Sequence, residues 1–332
     1  MILLTDMPDV SIIVPNYNHA RFLPKRIQSI LGQTFQDFEL ILLDDCSADN
    51  SREVLSGYGA DPRVRIEFNE VNSGSTFKQW NKGVRMARGK YIWIAESDDY
   101  ADEHLLEHLV SALDRDPMVT FAYCRSWTVT DDDRVGAGNW NLDLLDPQLW
   151  KSSFCIDGRE HCRKYSVRSP VVVNSSAVVF RKTAYETVGG ADESLRLCGD
   201  WKFWAAMALV GKVAYVNQSL NYFRCHHLES VRNKTSRDAT NVLETLQVIR
   251  WILDQVEATD SDLRNACEEA ANHWVPAIMS LHHPLQLKLA ILRRVTTIDR
   301  HPIRRIARPA LLTLQRKFAR HWRSIQSLLP SD

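Results

Sequence analysis

Short apolar segments alternate with amphipathic ones over the first hundred residues, and this alternation limits the available folds more than any other feature of the chain. Four apolar runs have the pattern of buried strands, at 10–15, 38–43, 64–68 and 91–95. Helical periodicity lies between them at 22–33 and 78–87, and a further helix begins with Asp49 or Ser51 as its cap. Because strands and helices alternate with short turns, the pattern predicts a parallel sheet covered by helices on both faces.

Polar clusters follow three of these four strands. They are Asn16-Tyr17-Asn18, Asp44-Asp45 and Glu96-Ser97-Asp98-Asp99. In sheets of this kind, ligands bind beyond the carboxyl ends of the strands. We therefore expect the three clusters to converge at one rim of the sheet and to form a binding site there.

The segment 96–99 is the most acidic of the three clusters, with carboxylates at Glu96, Asp98 and Asp99. Carboxylates this close repel one another unless they are solvated or held by a cation, and oxygen ligands suit Mg²⁺ or Mn²⁺. A metal there would neutralise charge on a substrate diphosphate. The alternative is a solvated acidic turn that caps the next helix.

Asp44 and Asp45 close the second predicted strand. A carboxylate at a strand end can accept hydrogen bonds from a base imide or a ribose hydroxyl. The alternative for either residue is an Asx turn or a helix cap.

The second half of the chain is less regular. Strand patterns occur at 119–123 and 171–180, a polar and loop-rich stretch covers 131–163, and a helix begins near Gly199-Asp200. Helical periodicity dominates after about residue 238. These patterns indicate an α/β body followed by a helical extension.

Cysteine usage and hydropathy indicate the compartment. The seven cysteines are scattered and form no CxxC pair, which favours free thiols in a reducing compartment. The sequence has no signal-peptide pattern at its start and no run of about 18 apolar residues. A cytoplasmic protein is therefore predicted.

Charge is unevenly distributed although the net charge is zero. Residues 285–332 carry eleven Lys and Arg against two acidic residues, interspersed with Leu, Ile, Phe318 and Trp322. A basic amphipathic segment with aromatic residues is typical of contact with an anionic membrane surface. The alternative is a helical extension that packs on the acidic body or on a partner chain. Nucleic acid is not expected, because the rest of the chain is acidic and has no recognised binding motif.

Five segments occur in one order along the chain: VSIIVPNYN (10–18), QTFQDFELILLDD (33–45), NSG (72–74), GKYIWIAESDD (89–99) and GGADE (189–193). Together they resemble the family 2 glycosyltransferases over roughly residues 8–230. The resemblance implies the A-type glycosyltransferase fold, a Rossmann-like, mostly parallel sheet with helices on both faces. It also implies transfer of a sugar from a nucleotide donor to an acceptor hydroxyl, with inversion of the anomeric carbon.

Site residues follow from the resemblance position by position. It implies nucleotide-binding roles for Pro15, Tyr17, Asp44, Asp45, Asn72, Gly74 and Asp98. It implies a divalent metal, Mn²⁺ or Mg²⁺, on Asp98, Asp99 and Glu96. Glu96 stands where the family commonly has Asp, and its side chain is one methylene longer.

The catalytic base is expected at Asp200. Residues 199–204 (GDWKFW) resemble the acidic pair and helix that carry the base in the family, with Gly199 in place of the first acid. An inverting displacement needs a base that removes the proton of the acceptor hydroxyl. The alternative for Asp200 is a helix N-cap, since Asp is a preferred cap.

Residues 222–230 resemble a YRxH segment of the family. Arg224 or His226 would hold the diphosphate there, because a guanidinium pairs well with phosphate oxygens. The alternative is a surface loop. Trp140 and Trp150 are candidates for stacking on the acceptor sugar, although large aromatic residues also fill cores.

The leading hypothesis is an inverting glycosyltransferase that uses a nucleoside-diphosphate sugar, first of all a UDP-sugar, and builds a bacterial surface polysaccharide or a lipid-linked glycan. Residues 8–237 would form the catalytic domain, with the donor half at 8–115 and the acceptor half at 116–237, followed by the basic extension 238–332. The alternative is a non-catalytic protein that binds nucleotide sugars or glycans on the same fold. A nucleotidyltransferase is less favoured. It would need a Gly-rich phosphate loop after the first strand, where this chain has Pro15-Asn16-Tyr17-Asn18.

Overall fold

The computed structural model describes residues 7–136, 138, 142–225 and 239–299. The chain divides into two compact units, 1–233 and 234–332. We call them unit 1 and unit 2. Unit 1 combines a large sheet with helices, and the described part of unit 2 consists of helices joined by short turns.

Unit 1 contains nine strands: β1 Val10–Asn16, β2 Phe38–Asp44, β3 Val64–Phe68, β4 Tyr91–Ile94, β5 Tyr100–Ala101, β6 Val119–Val129, β7 Phe154–Asp157, β8 Val178–Arg181 and β9 Lys212–Arg224. Its α-helices are α1 Leu23–Leu31, α2 Ser51–Ser56, α3 Thr76–Met86, α4 Leu105–Asp114, α5 Leu142–Leu145, α6 Gly158–His161, α7 Lys182–Val188 and α8 Gly199–Leu209. The helices of unit 2 are α9 Thr240–Gln255, α10 Asp260–Met279 and α11 Leu285–Val295.

All nine strands belong to one sheet, in the order β3-β2-β1-β4-β8-β6-β9-β5, with β7 paired to β9. Strands β3, β2, β1 and β4 are parallel to one another, as are β6 and β9, and the other pairs are antiparallel. The predicted α/β class is therefore confirmed. Between β1 and β4 the strand order reverses, which creates the crevice where sheets of this kind bind ligands.

The core explains why the first strands are continuous apolar runs. Every residue of β1, β2 and β4 is buried. A strand that is covered by helices on both faces has no solvent side, so it needs no alternation of apolar and polar residues. Helix α1 packs Leu23, Ile27 and Ile30 into the same core.

Two sequence-based predictions of local structure need correction. The strand predicted at 171–180 begins only at Val178, because the Asn174 side chain accepts a hydrogen bond from the Ser176 amide at 2.6 Å and starts a 3₁₀ turn. The N-cap of α2 is Asn50, although the Asp49 carboxylate does accept from the Ser51 amide at 3.0 Å.

The polar stretch 131–163 includes strand β7, which lies at the side of β9.

Unit 2 is held by its own apolar contacts. Leu246, Ile249 and Ile252 of α9 are buried, as is Trp274 of α10. Thr259 and Asp262 form a reciprocal capping box at the start of α10. None of the helices in the described ranges is long and apolar enough to cross a membrane.

Replacement of Ile12 by Ala tests the core. Ile12 is fully buried in β1, so Ile12→Ala should lower the free energy of unfolding by about 3 kcal/mol through lost burial and a residual cavity. Val71→Ala removes an apolar side chain that is 78% exposed and should change it by less than about 0.5 kcal/mol. Urea denaturation followed by circular dichroism measures both variants, and equal losses would contradict the assigned core.

Candidate functional site

The three polar clusters lie at one rim, as the sequence predicts. The Asn16 side-chain amide donates to Asp44 Oδ1 at 2.9 Å, which joins the ends of β1 and β2. The main-chain amide of Asn18 donates to Ser47 Oγ at 2.9 Å and thereby joins the loops that follow these strands. The third cluster is connected through a contact of 2.8 Å between Ser97 Oγ and His19 Nδ1.

Asp44 and Asp45 are both buried and hydrogen-bonded within the chain. Asp44 accepts from Asn16 and from the Ser47 amide. The Asp45 carboxylate receives donors from the loop and helix that follow β3, and these are Asn69 Nδ2, the Ser73 amide and hydroxyl, and Gln79 Nε2. In this structure the pair therefore organises the rim, and a contact with a nucleobase stays a prediction.

The turn at 72–74 is held against Asp45. Asn72 donates its side-chain amide to the Asp45 carbonyl at 2.9 Å, and its side-chain oxygen accepts from the Gly74 amide at 2.8 Å. Gly74 has a φ of 72°, a left-handed conformation that favours glycine. Tyr17 is 49% exposed, whereas Pro15 is buried within β1. The rim thus presents an aromatic ring and an exposed turn on which a nucleotide can lie.

The acidic segment, residues 96–99, follows β4 directly. Asp99 is buried and its two carboxylate oxygens accept from Asn174 Nδ2 at 2.8 Å and from the Arg224 amide at 2.9 Å. The pKa of Asp99 is raised to about 6, mainly by burial and secondly by the negative charge of Asp98. Asp98 is less buried than Asp99. Of these two carboxylates, Asp98 is the more accessible to a ligand.

Glu96 is held differently from the two aspartates. Its Oε1 accepts from Trp80 Nε1 at 2.8 Å, and its main-chain amide donates to Ser176 Oγ at 3.0 Å. The pKa of Glu96 is raised to about 8, mainly by burial and secondly by the negative charge of Asp98. The longer side chain at this position therefore reaches an indole.

One residue that contacts the acidic segment, a buried arginine, was not predicted from the sequence. Arg26 of α1 is fully buried and donates from Nε to the Glu96 carbonyl and from Nη2 to Ser176 Oγ, both at 2.8 Å. Burial lowers the pKa of Arg26 to about 10 although the nearby carboxylates favour its charge. The sequence contained a signal for it, because Arg26 shares the inward face of α1 with Leu23, Ile27 and Ile30.

Arg224 is a positioning residue in this structure rather than a free cation at the rim. Its guanidinium is buried and donates to the Asp98 carbonyl at 2.8 Å, the Thr130 carbonyl at 2.5 Å and Asp133 Oδ1 at 2.5 Å. These contacts use three of the five N–H groups of the guanidinium, and a diphosphate contact by Arg224 stays a prediction. His226, the other predicted diphosphate ligand, lies outside the described residues.

Asp200 lies in the first turn of α8, two residues after the N-cap Cys198. It is therefore not the cap itself. The side chain is partly exposed. Gly199 precedes it because a Cβ at this position would lie 2.4 Å from the Phe77 ring, so the first acid of the family's pair has no space here.

The tryptophans predicted to stack on an acceptor are not grouped at the rim. Trp150 is fully buried and its indole donates to the Tyr123 hydroxyl at 3.0 Å, so it is a core residue and the acceptor assignment is wrong. Trp140 lies outside the described residues. Trp204 is buried in the core, as predicted.

The carboxylates at 96–99 are the candidate ligands for a divalent cation. In the described ranges, no group of three or more His, Cys, Asp or Glu side chains is placed to hold a metal. Asp98 nevertheless raises the pKa of both Glu96 and Asp99, and closely spaced carboxylate oxygens suit a hard cation. Mg²⁺ sites with nucleotides commonly take one or two carboxylates and complete their coordination with phosphate and water. Asp98 and Asp99 fit that donor set.

Comparisons with known proteins bear on the family and the fold of this chain. Residues 11–168 match the family model described as glycosyl transferase family 2. Glycosyltransferase GlyG of Streptococcus pneumoniae is 32% identical over 154 residues, which are 46% of this chain and 45% of that protein. The chain thus spans less than half the length of this relative.

Solved structures show the same fold. The crystal structure of S. aureus TarS 1–349 in complex with UDP-GlcNAc has a TM-score of 0.67 at 16% identity, over 88% of this chain and 82% of that one. The mannosyltransferase PcManGT from Pyrobaculum calidifontis, in complex with GDP-Man and Mn²⁺, has a TM-score of 0.54 at 16% identity, over 97% and 85%. The A-type glycosyltransferase fold expected from the sequence is confirmed.

The raised pKa of Glu96 has a consequence for stability. The Glu96 carboxyl binds its proton more tightly in the folded chain than in the unfolded chain. The free energy of unfolding therefore falls as pH rises from about 4.5 to about 8. Glu96→Gln removes this titration and still offers an oxygen to Trp80. Without divalent metal, we expect its stability relative to wild type to rise by on the order of 3 kcal/mol between about pH 5 and about pH 8.5.

Urea denaturation at the two pH values measures this difference. Glu186→Gln on the exposed side of α7 is the matched control and should show no such change. A Glu96→Gln difference that stays constant over this pH interval would contradict the assigned environment of Glu96.

Proposed function

We propose that this chain, which belongs to the family 2 glycosyltransferases through residues 11–168, moves a sugar from a nucleoside-diphosphate sugar to an acceptor hydroxyl with inversion. One observation carries the proposal. The acidic segment, at the strand-order reversal, and helix α8 with Asp200 share a neighbour, because Trp80 contacts both Glu96 and Trp204. A site for a diphosphate and a candidate base are thus on elements that pack together.

The donor is proposed to be a UDP-sugar that binds along the rim in the half formed by 8–115. Tyr17 and the turn at 72–74 would contact the nucleotide, and Asp45 would either contact the base or keep that turn in place. UDP-GlcNAc in the neighbouring TarS structure supports this choice, while GDP-Man in PcManGT shows that the fold also accepts another nucleotide.

Asp98 and Asp99 are proposed to hold a divalent metal, Mn²⁺ or Mg²⁺. When bound, such a metal neutralises the charge that develops on the leaving diphosphate. The Mn²⁺ named with the PcManGT complex supports the use of a divalent metal on this fold. Arg26 and Arg224 hold the main chain of the acidic segment through the carbonyls of Glu96 and Asp98.

Asp200 is proposed as the general base. The attacking hydroxyl must lose its proton as it approaches the anomeric carbon from the side opposite the leaving group. Asp200 is partly exposed in the first turn of α8, and its carboxylate would accept that proton. Residues 116–237 would supply the acceptor side, and the acceptor is proposed to be a growing polysaccharide or lipid-linked glycan at a bacterial surface.

Turnover of Asp200→Asn tests the mechanism against a non-catalytic binding protein. With Mn²⁺ and a panel of UDP-sugars, nucleoside diphosphate release by Asp200→Asn should fall by about 10²- to 10⁴-fold in kcat. Donor affinity should stay within about threefold, because the base does not bind the donor.

Asp260→Asn is the matched control, since Asp260 also lies in the first turn of a helix. It should retain wild-type turnover. Equal turnover by Asp200→Asn and wild type would exclude Asp200 as the base. A wild-type protein that binds UDP-sugars without turning over any donor would favour the binding-protein alternative.

Residues 285–332 are proposed to contact an anionic membrane surface. In α11, Leu285 is 71% and Leu289 46% exposed, and the helix carries Lys288, Arg293 and Arg294 without an acidic residue. Exposed leucines beside basic side chains suit an interface of acyl chains and anionic headgroups. Residues 300–332 of the segment lie outside the described residues.

Vesicle binding tests this contact. Leu285→Ser combined with Leu289→Ser should reduce co-sedimentation with phosphatidylglycerol-containing vesicles by about fivefold or more, because apolar area no longer enters the membrane. Leu263→Ser on α10, which replaces another exposed leucine, should not change it. Unchanged binding by the double variant, or equal binding to neutral vesicles, would contradict the proposed surface.

A further inference from the structure

We propose that Trp80 and Glu96 form a positioning pair that couples the acidic segment to the first turns of α8. The inference rests on the proposed function, since the coupling matters for transfer only if Asp200 is the base. It reassigns Glu96, which the sequence pattern groups with the metal ligands. Glu96 acts through Trp80 on the geometry of the site rather than on a metal.

The hydrogen bond between the two side chains is well placed. Trp80 is 2% exposed and its Nε1 donates to Glu96 Oε1 at 2.8 Å. Both main-chain polar groups of Glu96 are hydrogen-bonded. Its amide donates to Ser176 Oγ, and its carbonyl accepts from Arg26 Nε. A side chain on such a fixed backbone transmits the position of the acidic segment to the indole.

The indole in turn contacts α8. Its ring centroid lies 6.0 Å from that of Phe203 and 6.4 Å from that of Trp204. One turn earlier, the Phe77 ring occupies the space beside Gly199, and Phe77 also packs on Trp80 with a centroid distance of 5.3 Å. Helix α3 therefore touches α8 on both sides of Asp200 in the sequence, and a shift of Trp80 would shift Asp200.

The length of the acidic side chain at 96 follows from this contact. Aspartate would be shorter by one carbon–carbon bond, about 1.5 Å, and its oxygen would lie outside hydrogen-bond distance of Trp80 Nε1. The indole N–H would then be buried without a partner, which is unfavourable. Trp80 therefore explains why Glu stands at a position where the family commonly has Asp.

The pair makes a prediction that separates it from metal binding. Trp80→Phe keeps most of the aromatic packing and removes the N–H, and Glu96→Asp keeps the carboxyl group and shortens the side chain. Each should lower kcat by about tenfold or more through misplacement of Asp200, while KM for the donor and the Mn²⁺ concentration for half-maximal activity change by less than about threefold. The double variant should be no worse than either single variant, because both break the same contact.

Side-chain rescue sharpens the test. Glu96→Gln still accepts from the indole and should have at least about tenfold higher kcat than Glu96→Ala. Trp150→Phe removes an equivalent buried indole bond elsewhere in unit 1 and should keep wild-type kcat. If Glu96→Asp is active and Glu96→Gln requires much more Mn²⁺, Glu96 is a metal ligand and the proposal is wrong.

Hydrogen exchange distinguishes failure of the pair from failure of the proposed function. Exchange of the amides at 199–204, followed by mass spectrometry, should accelerate in Trp80→Phe and in Glu96→Asp but not in Glu96→Gln or Trp150→Phe. This readout needs no turnover, so it tests the coupling even if the wild-type protein transfers no sugar. Unchanged exchange at 199–204 in Trp80→Phe and Glu96→Asp would overturn the proposal.

Discussion

The arrangement of the site depends on how the chain accommodates three carboxylates at the buried end of β4. Two buried arginines hold the main chain of this acidic segment, Arg26 through the Glu96 carbonyl and Arg224 through the Asp98 carbonyl. Neither guanidinium forms its principal contacts with the carboxylates themselves. These hydrogen bonds fix the position of the acidic segment, and its carboxylate oxygens are the ligand type that hard divalent cations prefer.

The same segment connects parts of unit 1 that are distant in sequence. Arg224 at the end of β9 brings residues 130–133 and the acidic segment together, while Arg26 brings in α1 and Ser176. Trp80 adds the packing of α8. The donor side, the acidic segment and the helix that carries Asp200 therefore share one set of buried contacts.

The sequence was sufficient for the elements whose burial is complete. Strands β1, β2 and β4 are covered on both faces, so each is a continuous apolar run, and the polar residues that follow them had to meet at the rim. Asp200 is predicted from the resemblance of residues 199–204 and from the need of the displacement for a base, and its role stays a prediction. In contrast, the contacts of Arg224 depend on residues about 90 positions away, and no local pattern could show that its guanidinium is buried against Thr130 and Asp133. Trp150 and Glu96 were assigned by residue type, whereas their partners are set by tertiary packing.

The central claim is that Asp98 and Asp99 receive a nucleoside diphosphate through a divalent metal. Isothermal titration of the wild-type chain with UDP, in the presence and in the absence of Mn²⁺, tests it most directly. Affinity for UDP should rise by about tenfold or more with Mn²⁺, and Asp98→Asn should abolish the increase. Equal affinity with and without Mn²⁺, or an increase that persists in Asp98→Asn, would contradict the account.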